Sequence, residues 1–414
     1  MDNIVSMPVR EDNKGKSEGR LNQRFNPEMR LLLECVRPGG PKRDCLLELL
    51  HGGIDWRRLV QLALAHGVVP ASYGALQALP SGLVSATTAG QLERLYLSNA
   101  RTVLRLTDEL GVLIDALQAE GIQAIAFKGP LLAARLHGDP IGRQFSDIDL
   151  LVRQSDFWRV VSLLTSLGYA ADTSFTEHQK AIYLRHDCAL YLRSNNNLFL
   201  DLQFRFTPDF IPVHFDYNAV FERAVEVVFE GRRVWSLCDD DWLMYLALHG
   251  CLHTWAKLRY LVDMAGMVES YSNCDYHLLL EKAERAGIRP MVLMAIGLCA
   301  RLLNVPVTPW LRETIERERS IKRLERTAAR RLIGGGGNQP GGLETFSIRM
   351  TMLEGGWARC LYKRAVDPSA TDWRFVGLPD RLYFLYYLVR PFRLALQALK
   401  FVTRKRSSRG TVPA

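Results

Sequence analysis

The sequence predicts an α+β fold in which a small sheet with its own helices is flanked by helical regions. Apolar residues in 92–120 recur every three or four positions, as on one face of an amphipathic helix. Helical patterns return after residue 239 and dominate to residue 330. Between these regions the period changes, and short runs typical of strands lie at 123–127, 147–152, 189–193 and 198–206.

The predicted helices carry recognisable end signals. Asp55 is a suitable N-cap for a helix that ends at Gly67. Gly121 ends the long helix that begins near residue 92, and a further amphipathic helix over 157–167 is followed by Gly168. These signals divide the region before and between the strands into separate helices.

Changes in composition and periodicity divide the chain into six segments. They are a polar, disordered leader (1–27), a helical N-terminal region (28–100), a core that contains the strands (101–235), a helical domain (236–333), a Gly-rich linker (334–342) and a C-terminal helical segment with a basic tail (343–414). The leader lacks the apolar stretch of a secretory signal.

The bulk composition is that of a globular protein. The 414 residues suit two or three domains, and 48% are hydrophobic and 23% charged. No run of eighteen apolar residues occurs, so a transmembrane helix is not expected. The eight cysteines are scattered without a Cys-x-x-Cys pair, which favours free thiols in a reducing compartment over a zinc cluster or a disulfide frame. The predicted location is cytoplasmic.

The net charge of +9 is compatible with a phosphate-rich ligand or a polyanionic partner. Much of the excess lies at 322–331 and 403–409, where solvated helix faces and a basic tail are the simpler interpretation. Aromatic and basic residues do not alternate as they do in proteins that bind single-stranded nucleic acid, so no specific nucleic-acid recognition is expected.

Three carboxylates interrupt apolar strands. Asp147 and Asp149 are two residues apart on one predicted strand and therefore point to the same face, and Asp201 interrupts the strand pattern at 198–202. Carboxylates on adjacent strands at one end of a sheet would bind hard divalent cations, Mg²⁺ or Mn²⁺, which relieve their repulsion. Two such ions can activate a hydroxyl and stabilise a leaving pyrophosphate. Alone, the Asp-x-Asp pair could equally be strand-end acids that face solvent.

A turn before the strand that carries Asp147 and Asp149 supplies candidate contacts for a phosphate group. Lys128-Gly129-Pro130 ends the strand at 123–127, and 131–137 resumes a helical pattern. Gly129 allows close approach of a phosphate to the backbone, and the N–H groups at the helix start favour an anion. Lys128 and Arg143 are candidate phosphate partners.

These residues resemble the DNA polymerase beta-type nucleotidyltransferase superfamily and, more closely, the bacterial uncharacterised nucleotidyltransferase family. The matching core motifs are Phe127–Pro130, His137–Asp139, Arg143 and Asp147–Val152. Matches in the helical N-terminal part, the helical middle and the tail lie at 56–70, 248–263 and 372–391, so that the resemblance covers 30–395.

The resemblance implies a polymerase-beta-like core with a short mixed sheet at 101–235. It implies an enzyme that moves an NMP group, AMP from ATP, to an unidentified acceptor with release of pyrophosphate. Asp147, Asp149 and Asp201 would be the catalytic residues and metal ligands, and Lys128, Gly129 and Arg143 would bind the nucleotide.

The sequence departs from the family pattern at three places. The wider superfamily has Gly-Ser where this chain has Lys128-Gly129, which replaces a hydroxyl with an ammonium group. His137 stands where the family has Tyr, and Gln203-Phe204-Arg205 replaces His-Trp-Arg. These changes could alter how the triphosphate is held or remove a substrate contact, but none removes a carboxylate.

Two further features leave alternatives open. His249 and His253 are spaced i, i+4 and could bind a metal, but a packing or substrate-cleft role is preferred, and Arg205 is a third candidate cleft residue. The segment 382–401 is either a helix docked on the core, which is the preferred interpretation, or an amphipathic helix at a membrane surface. The alternative functions are accordingly an inactive nucleotide-binding or scaffold protein and a membrane-surface adaptor. The expected partners are a nucleoside triphosphate and a small-molecule, peptide or protein acceptor.

Overall fold

The computed structural model describes residues 25–271, 275–333, 362–363 and 366–407. The Gly-rich linker predicted at 334–342 and nearly all of the predicted leader lie outside these residues. No helix among the described residues is long and apolar enough to cross a membrane.

Five helices precede the first strand. They are α1 (Pro27–Cys35), α2 (Arg43–His51), α3 (Trp56–His66), α4 (Val69–Gln77) and α5 (Ala86–Ala119). The predicted ends of α3 are confirmed, because the Asp55 carboxylate accepts from the Arg58 N–H at 3.0 Å and Gly67 is left-handed with φ 71°. Helix α5 is longer than predicted and runs through the predicted segment boundary at residue 100.

The core contains a seven-stranded mixed sheet with helices in its connections. The strands are β1 (Ala124–Ala126), β2 (Ile148–Val152), β3 (Tyr169–Ala171), β4 (Ala189–Ser194), β5 (Phe199–Gln203), β6 (Val225–Phe229) and β7 (Arg232–Ser236). The helices are α6 (Gly129–His137), α7 (Phe157–Ser166), α8 (Glu177–His186) and α9 (Tyr217–Glu222). The strand order is β3-β4-β5-β2-β1-β7-β6; β2 is parallel to β5 and β1 is parallel to β7, while the other pairs are antiparallel. The α+β class with a mixed sheet is therefore confirmed.

Helices dominate the rest of the described chain, as predicted. They are α10 (Asp239–Leu252), α11 (Leu258–Ser270), α12 (Tyr276–Arg285), α13 (Arg289–Leu302), α14 (Pro309–Arg317), α15 (Arg319–Ile333), α16 (Ala370–Phe375) and α17 (Tyr386–Ser407). A 3₁₀ helix, Asp380–Leu385, precedes α17.

Two apolar clusters lie on opposite faces of the sheet. One joins the N-terminal helices to α10–α15 and includes Phe127 and Leu151. The other lies against α5 and α7, and it includes Leu150 and Leu200 as well as Tyr386 of the C-terminal segment. Because side chains alternate along a strand, the odd-numbered residues of β2 face the first cluster and the even-numbered ones face the second.

Candidate active site

Strand register brings two of the predicted carboxylates together. In the parallel pair β2–β5, Asp149 lies directly opposite Asp201. Asp147 comes immediately before β2, and since it is two residues before Asp149, its position lies on the same face. The intervening residues Ile148 and Leu200 are buried in the cluster on the other face, which fixes the orientation of both strands.

The Lys-Gly turn meets these carboxylates at the start of α6. Gly129 has a φ of +51°, which side chains rarely adopt, and a Cβ there would lie 3.1 Å from the Asp147 carbonyl oxygen. Glycine thus allows the first turn of α6 to pack directly on the backbone that enters β2. The start of α6 thus lies beside the backbone of Asp147, and the N–H groups at a helix start favour an anion such as phosphate.

Lys128 forms an ion pair with Asp149 inside the site. Its ammonium group contacts Asp149 Oδ1, and the two side chains are only 12% and 3% exposed. The ammonium also lies 5.6 Å from the ring centroids of both Phe127 and Tyr245. The lysine is therefore directed at the carboxylates and not at solvent.

Gln203 bridges the two opposed carboxylates. Its Nε2 donates to Asp201 Oδ2 at 2.7 Å and lies 3.4 Å from Asp149 Oδ1. Gln203 follows Asp201 by two residues on β5 and therefore shares its face. An amide donor between like charges reduces their repulsion without adding a charge.

The site holds more negative than positive charge. The pKa of Asp149 is raised to about 7, because burial and the charges of Asp147 and Asp201 together outweigh the opposing effect of Lys128. Burial also raises the pKa of Asp201. Burial alone would lower the pKa of Lys128, but Asp149, Tyr245 and Asp201 together hold it well above its usual value. Three carboxylates thus share one adjacent ammonium group, which favours a further cation.

The donor set suits a hard divalent cation, although its oxygens are not arranged around a common point. Among the described residues, no three His, Cys, Asp or Glu side chains stand close enough together to hold a metal ion. Lys128 and Gln203 occupy oxygens of Asp149 and Asp201 that a metal would use. Carboxylate oxygens are the ligands that Mg²⁺ prefers, so the residues fit such an ion provided that Lys128 withdraws.

Arg143, a predicted phosphate partner, is held by an acid from the helical domain. Its Nε and one terminal nitrogen each donate to Asp263 at 2.7 Å, and both residues are buried. Burial alone would lower the pKa of Arg143, but the charge of Asp263 raises it, and those of Asp149 and Asp147 add smaller increases. Arg143 therefore lies beside the carboxylates, with its bidentate face turned towards α11.

Arg205, a candidate cleft residue, makes contacts within the core. Its guanidinium donates to the carbonyl oxygens of Leu184 at 2.7 Å and Arg185 at 3.1 Å, and to Gln154 Oε1 at 2.8 Å. These bonds attach the end of α8 to the segment after β5. The structure therefore gives Arg205 a local structural role.

His249 and His253 belong to a ring cluster that borders the site. Tyr245 and His249 lie on α10, and His253 follows at the same interval of four as the residue directly after the helix. The ring centroid of Tyr260 in α11 lies 5.2 Å from the centroids of both imidazoles. The Tyr245 hydroxyl lies 3.4 Å from His249 Nδ1. Burial, and then the positive charge of Lys128, hold the pKa of His249 well below its usual value, so that its imidazole is neutral. This arrangement favours the packing or cleft role.

Sequence reasoning missed Gln203, Tyr245, Tyr260 and Asp263 as members of the site. Gln203 was recognisable from its i+2 spacing after Asp201, and Tyr245 from its i, i+4, i+8 spacing with the two histidines. The pairing of Asp263 with Arg143 spans 120 residues and had no local signal.

Comparisons with known proteins bear on the family to which the chain belongs. A solved structure described as an antigenic nucleotidyltransferase-like protein from Paracoccidioides brasiliensis has 16% identity and a TM-score of 0.27, and the similarity covers 49% of this chain and 94% of that one. No curated protein shows significant similarity to the chain. The family described as "Uncharacterised nucleotidyltransferase" matches residues 52–304, which include every residue of the site described above. The chain therefore belongs to this uncharacterised nucleotidyltransferase family.

Proposed function

We propose that the protein transfers an NMP group, AMP from ATP, to an acceptor and releases pyrophosphate in a metal-dependent reaction. The observation that carries the proposal is the in-register pair Asp149–Asp201, with Asp147 on the same face and the start of α6 beside it. This places oxygen ligands for a cation next to backbone donors for a phosphate, which are the two requirements of phosphoryl-type transfer.

Each residue has a distinct part in the proposed reaction. Asp147, Asp149 and Asp201 would hold Mg²⁺ or Mn²⁺, which supplies charge stabilisation at the phosphates. Gly129 and the first turn of α6 would hold the triphosphate. Lys128 would leave Asp149 and pair with the phosphates, where its charge offsets that of the leaving pyrophosphate.

The proposed reaction exchanges one bond to the α-phosphorus for another. An acceptor oxygen forms a bond to the α-phosphorus while the bond to the pyrophosphate oxygen breaks, and the acceptor proton passes to Asp201 or water. Arg143 would position the loop before β2 through its pair with Asp263. The neutral His249 and the exposed His253 would border the acceptor or the base of the nucleotide.

A second candidate is a nucleotide-binding protein without catalysis. The observation that favours it is the contact of Lys128 with Asp149, which leaves the carboxylates neutralised in part without metal. In that case Lys128 would remain on Asp149 when the nucleotide binds. The membrane-adaptor alternative concerns a different part of the chain and does not compete for this site.

The test follows radiolabel from the α- and γ-positions of ATP, GTP, CTP and UTP. Purified protein is incubated with Mg²⁺ or Mn²⁺, with and without clarified cell extract as the source of the acceptor. The proposal expects metal-dependent transfer of α-label. Asp147→Ala/Asp149→Ala and Asp201→Asn should reduce it by about 10³-fold or more, since they remove charge stabilisation in the transition state.

The exposed Asp172 of the same core provides the matched control, and Asp172→Asn should leave transfer unchanged. Transfer of γ-label would indicate a kinase-like reaction and would contradict the proposal. Nucleotide binding without any labelled product, in the presence of extract, would favour the binding-protein candidate.

A further inference from the structure

The C-terminal helix α17 and the 3₁₀ turn before it pack with their polar side inward. Asp372 of α16 is fully buried and accepts from Arg390 at 2.6 Å and from Arg393 at 2.6 Å, and both arginines are less than 10% exposed. Tyr386, between the 3₁₀ turn and these arginines, is also buried. The inner face of this segment is therefore held by charged hydrogen bonds and one aromatic ring.

The outer face of the same segment is apolar. Phe384, Tyr387, Leu388 and Phe392 are 63%, 47%, 69% and 62% exposed. Their spacing of three and four residues forms one continuous stripe, which the exposed Pro391 extends. Isolated exposed apolar residues are normal, but a stripe of large aromatic and aliphatic side chains on one helix face indicates an interaction surface.

The charge of the segment is strongly one-sided. Residues 381–414 contain eight Lys or Arg residues and no Asp or Glu, while Asp380 begins the 3₁₀ turn and two of the arginines, Arg390 and Arg393, are paired with Asp372. Five of the eight lie at 400–409, directly after the apolar stripe. Such a segment attracts a negatively charged surface such as an anionic bilayer.

We propose that this outer face docks on an anionic lipid membrane surface. The helix lies in the plane of the interface, with Phe384, Leu388 and Phe392 inserted at the boundary between headgroups and acyl chains. The following basic residues contact the anionic headgroups, while Asp372 keeps the inner face attached to the core.

The charge pattern favours lipid over a second copy of the chain. A symmetric dimer through this stripe would bring two basic clusters at 400–409, with five Lys or Arg residues each, close together, and like charges repel. An anionic bilayer satisfies both features at once, because apolar rings enter the interface while Lys and Arg side chains reach the headgroups.

The test is co-sedimentation of the full chain with vesicles in the absence of nucleotide, so that its result is independent of catalysis. One set of vesicles contains phosphatidylcholine alone, and the other contains about 30% phosphatidylserine as the anionic lipid. We expect binding to the second set only, and loss of binding in about 0.5 M salt, where charges are screened over a few ångströms.

Variants separate the stripe from the rest of the surface. Phe384→Ser/Leu388→Ser/Phe392→Ser should lower the partition coefficient at least about tenfold. The matched control, Leu64→Ser/Leu104→Ser/Val112→Ser, removes side chains that are 48%, 50% and 52% exposed elsewhere and should bind like the wild type. Arg404→Gln/Lys405→Gln/Arg406→Gln should weaken binding to anionic vesicles by a similar factor.

Several results would overturn the proposal. Absence of binding to anionic vesicles, or equal binding by the Phe384, Leu388 and Phe392 triple variant, would exclude lipid docking through this face. A wild-type dimer in light scattering that becomes a monomer in the triple variant would identify a second copy as the occupant. A lower melting temperature of the triple variant than of its control would show that another part of this chain covers the stripe.

Discussion

Lys128 supplies the positive charge that contacts the buried carboxylate of Asp149. A buried ammonium group paired with a buried carboxylate is costly to separate, because each partner left alone has lost its hydration. Here the second partner, Asp149, lies beside two other carboxylates, so that Lys128 compensates part of a threefold negative charge. The lysine can therefore act as the resident cation among these carboxylates.

The first prediction concerns stability in a chelator. Lys128→Gln should lower the free energy of unfolding by about 3 kcal/mol in EDTA, because Asp149 then remains buried without its positive partner. Added Mg²⁺ should raise the melting temperature of this variant more than that of the wild type, since metal no longer competes with the ammonium. Urea denaturation and thermal melts with and without Mg²⁺ measure both effects.

Lys128→Arg is the matched control, as it retains the positive charge and should lose less stability in EDTA than Lys128→Gln. Equal stability of Lys128→Gln and the wild type in EDTA would mean that the ion pair does not stabilise the protein. An unchanged response to Mg²⁺ would mean that the ammonium and the metal do not share Asp149.

At the scale of elements, the Arg143–Asp263 pair connects the loop before β2 with helix α11. Both nitrogens of the bidentate contact lie 2.7 Å from their oxygens, and both side chains are buried. The loop also receives a bond from α5, because Asn99 Nδ2 donates to the Arg143 carbonyl oxygen at 3.2 Å. The approach of Asp147 to the site is thus fixed from two helices.

The second prediction is a coupling within this pair. Asp263→Met and Arg143→Met should each lower the free energy of unfolding by about 3–5 kcal/mol, since each leaves one buried charge without a partner. The double variant should lose much less than the sum, because both charges are removed together. A double-mutant cycle by urea denaturation measures the coupling, and additive losses would contradict the prediction.

The sequence predicted the elements that carry local signals and missed those that depend on distant contacts. Helix α3 has an N-cap and a left-handed glycine, and β2 is an apolar run interrupted by Asp149, so both were predicted close to their observed bounds. Strands β6 and β7 were missed, since β6 is largely exposed and β7 begins with two arginines, which gives no clear apolar pattern. Their pairing with each other and with β1 comes from the sheet and not from local preference.

The candidate site shows the same division. Asp147, Asp149 and Asp201 were visible because each interrupts an apolar strand, and the turn at Gly129 was visible as a break. Tyr245 and Asp263 each lie more than 100 residues after the residue that they contact, Lys128 and Arg143 respectively. Only the packed structure brings them to the site. Arg143 was predicted as a phosphate partner, and its bidentate contact with Asp263 could not be inferred from local spacing.

At the scale of the whole molecule, a second long-range contact joins the N-terminal helices to the site. His66, the last residue of α3, is fully buried, and its Nδ1 accepts from the Leu258 N–H at 3.2 Å, at the start of α11. Gly67 directly follows α3. A Cβ on it would lie 2.9 Å from Cδ of Arg259, so the end of α3 packs closely against α11. Arg259 in turn lies 3.4 Å from the Gln144 carbonyl oxygen, next to Arg143.

This contact requires a neutral imidazole, and the last prediction follows from that. Burial, and then the nearby charge of Lys257, lower the pKa of His66 from 6.5 to about 4. Between pH 6.5 and about 4, His66 is protonated in the unfolded chain but stays neutral in the folded one. Its contribution to the free energy of unfolding is therefore fully present above pH 6.5 and falls as the pH drops towards 4. Between pH 7.5 and 5 this group should lower the free energy of unfolding by about 2 kcal/mol.

The variant His66→Asn keeps a hydrogen-bond acceptor but does not titrate. Between the same two pH values, its free energy of unfolding from urea denaturation should change by about 2 kcal/mol less than that of the wild type. The same pH dependence in both proteins would mean that His66 is protonated as readily in the folded state as in the unfolded one.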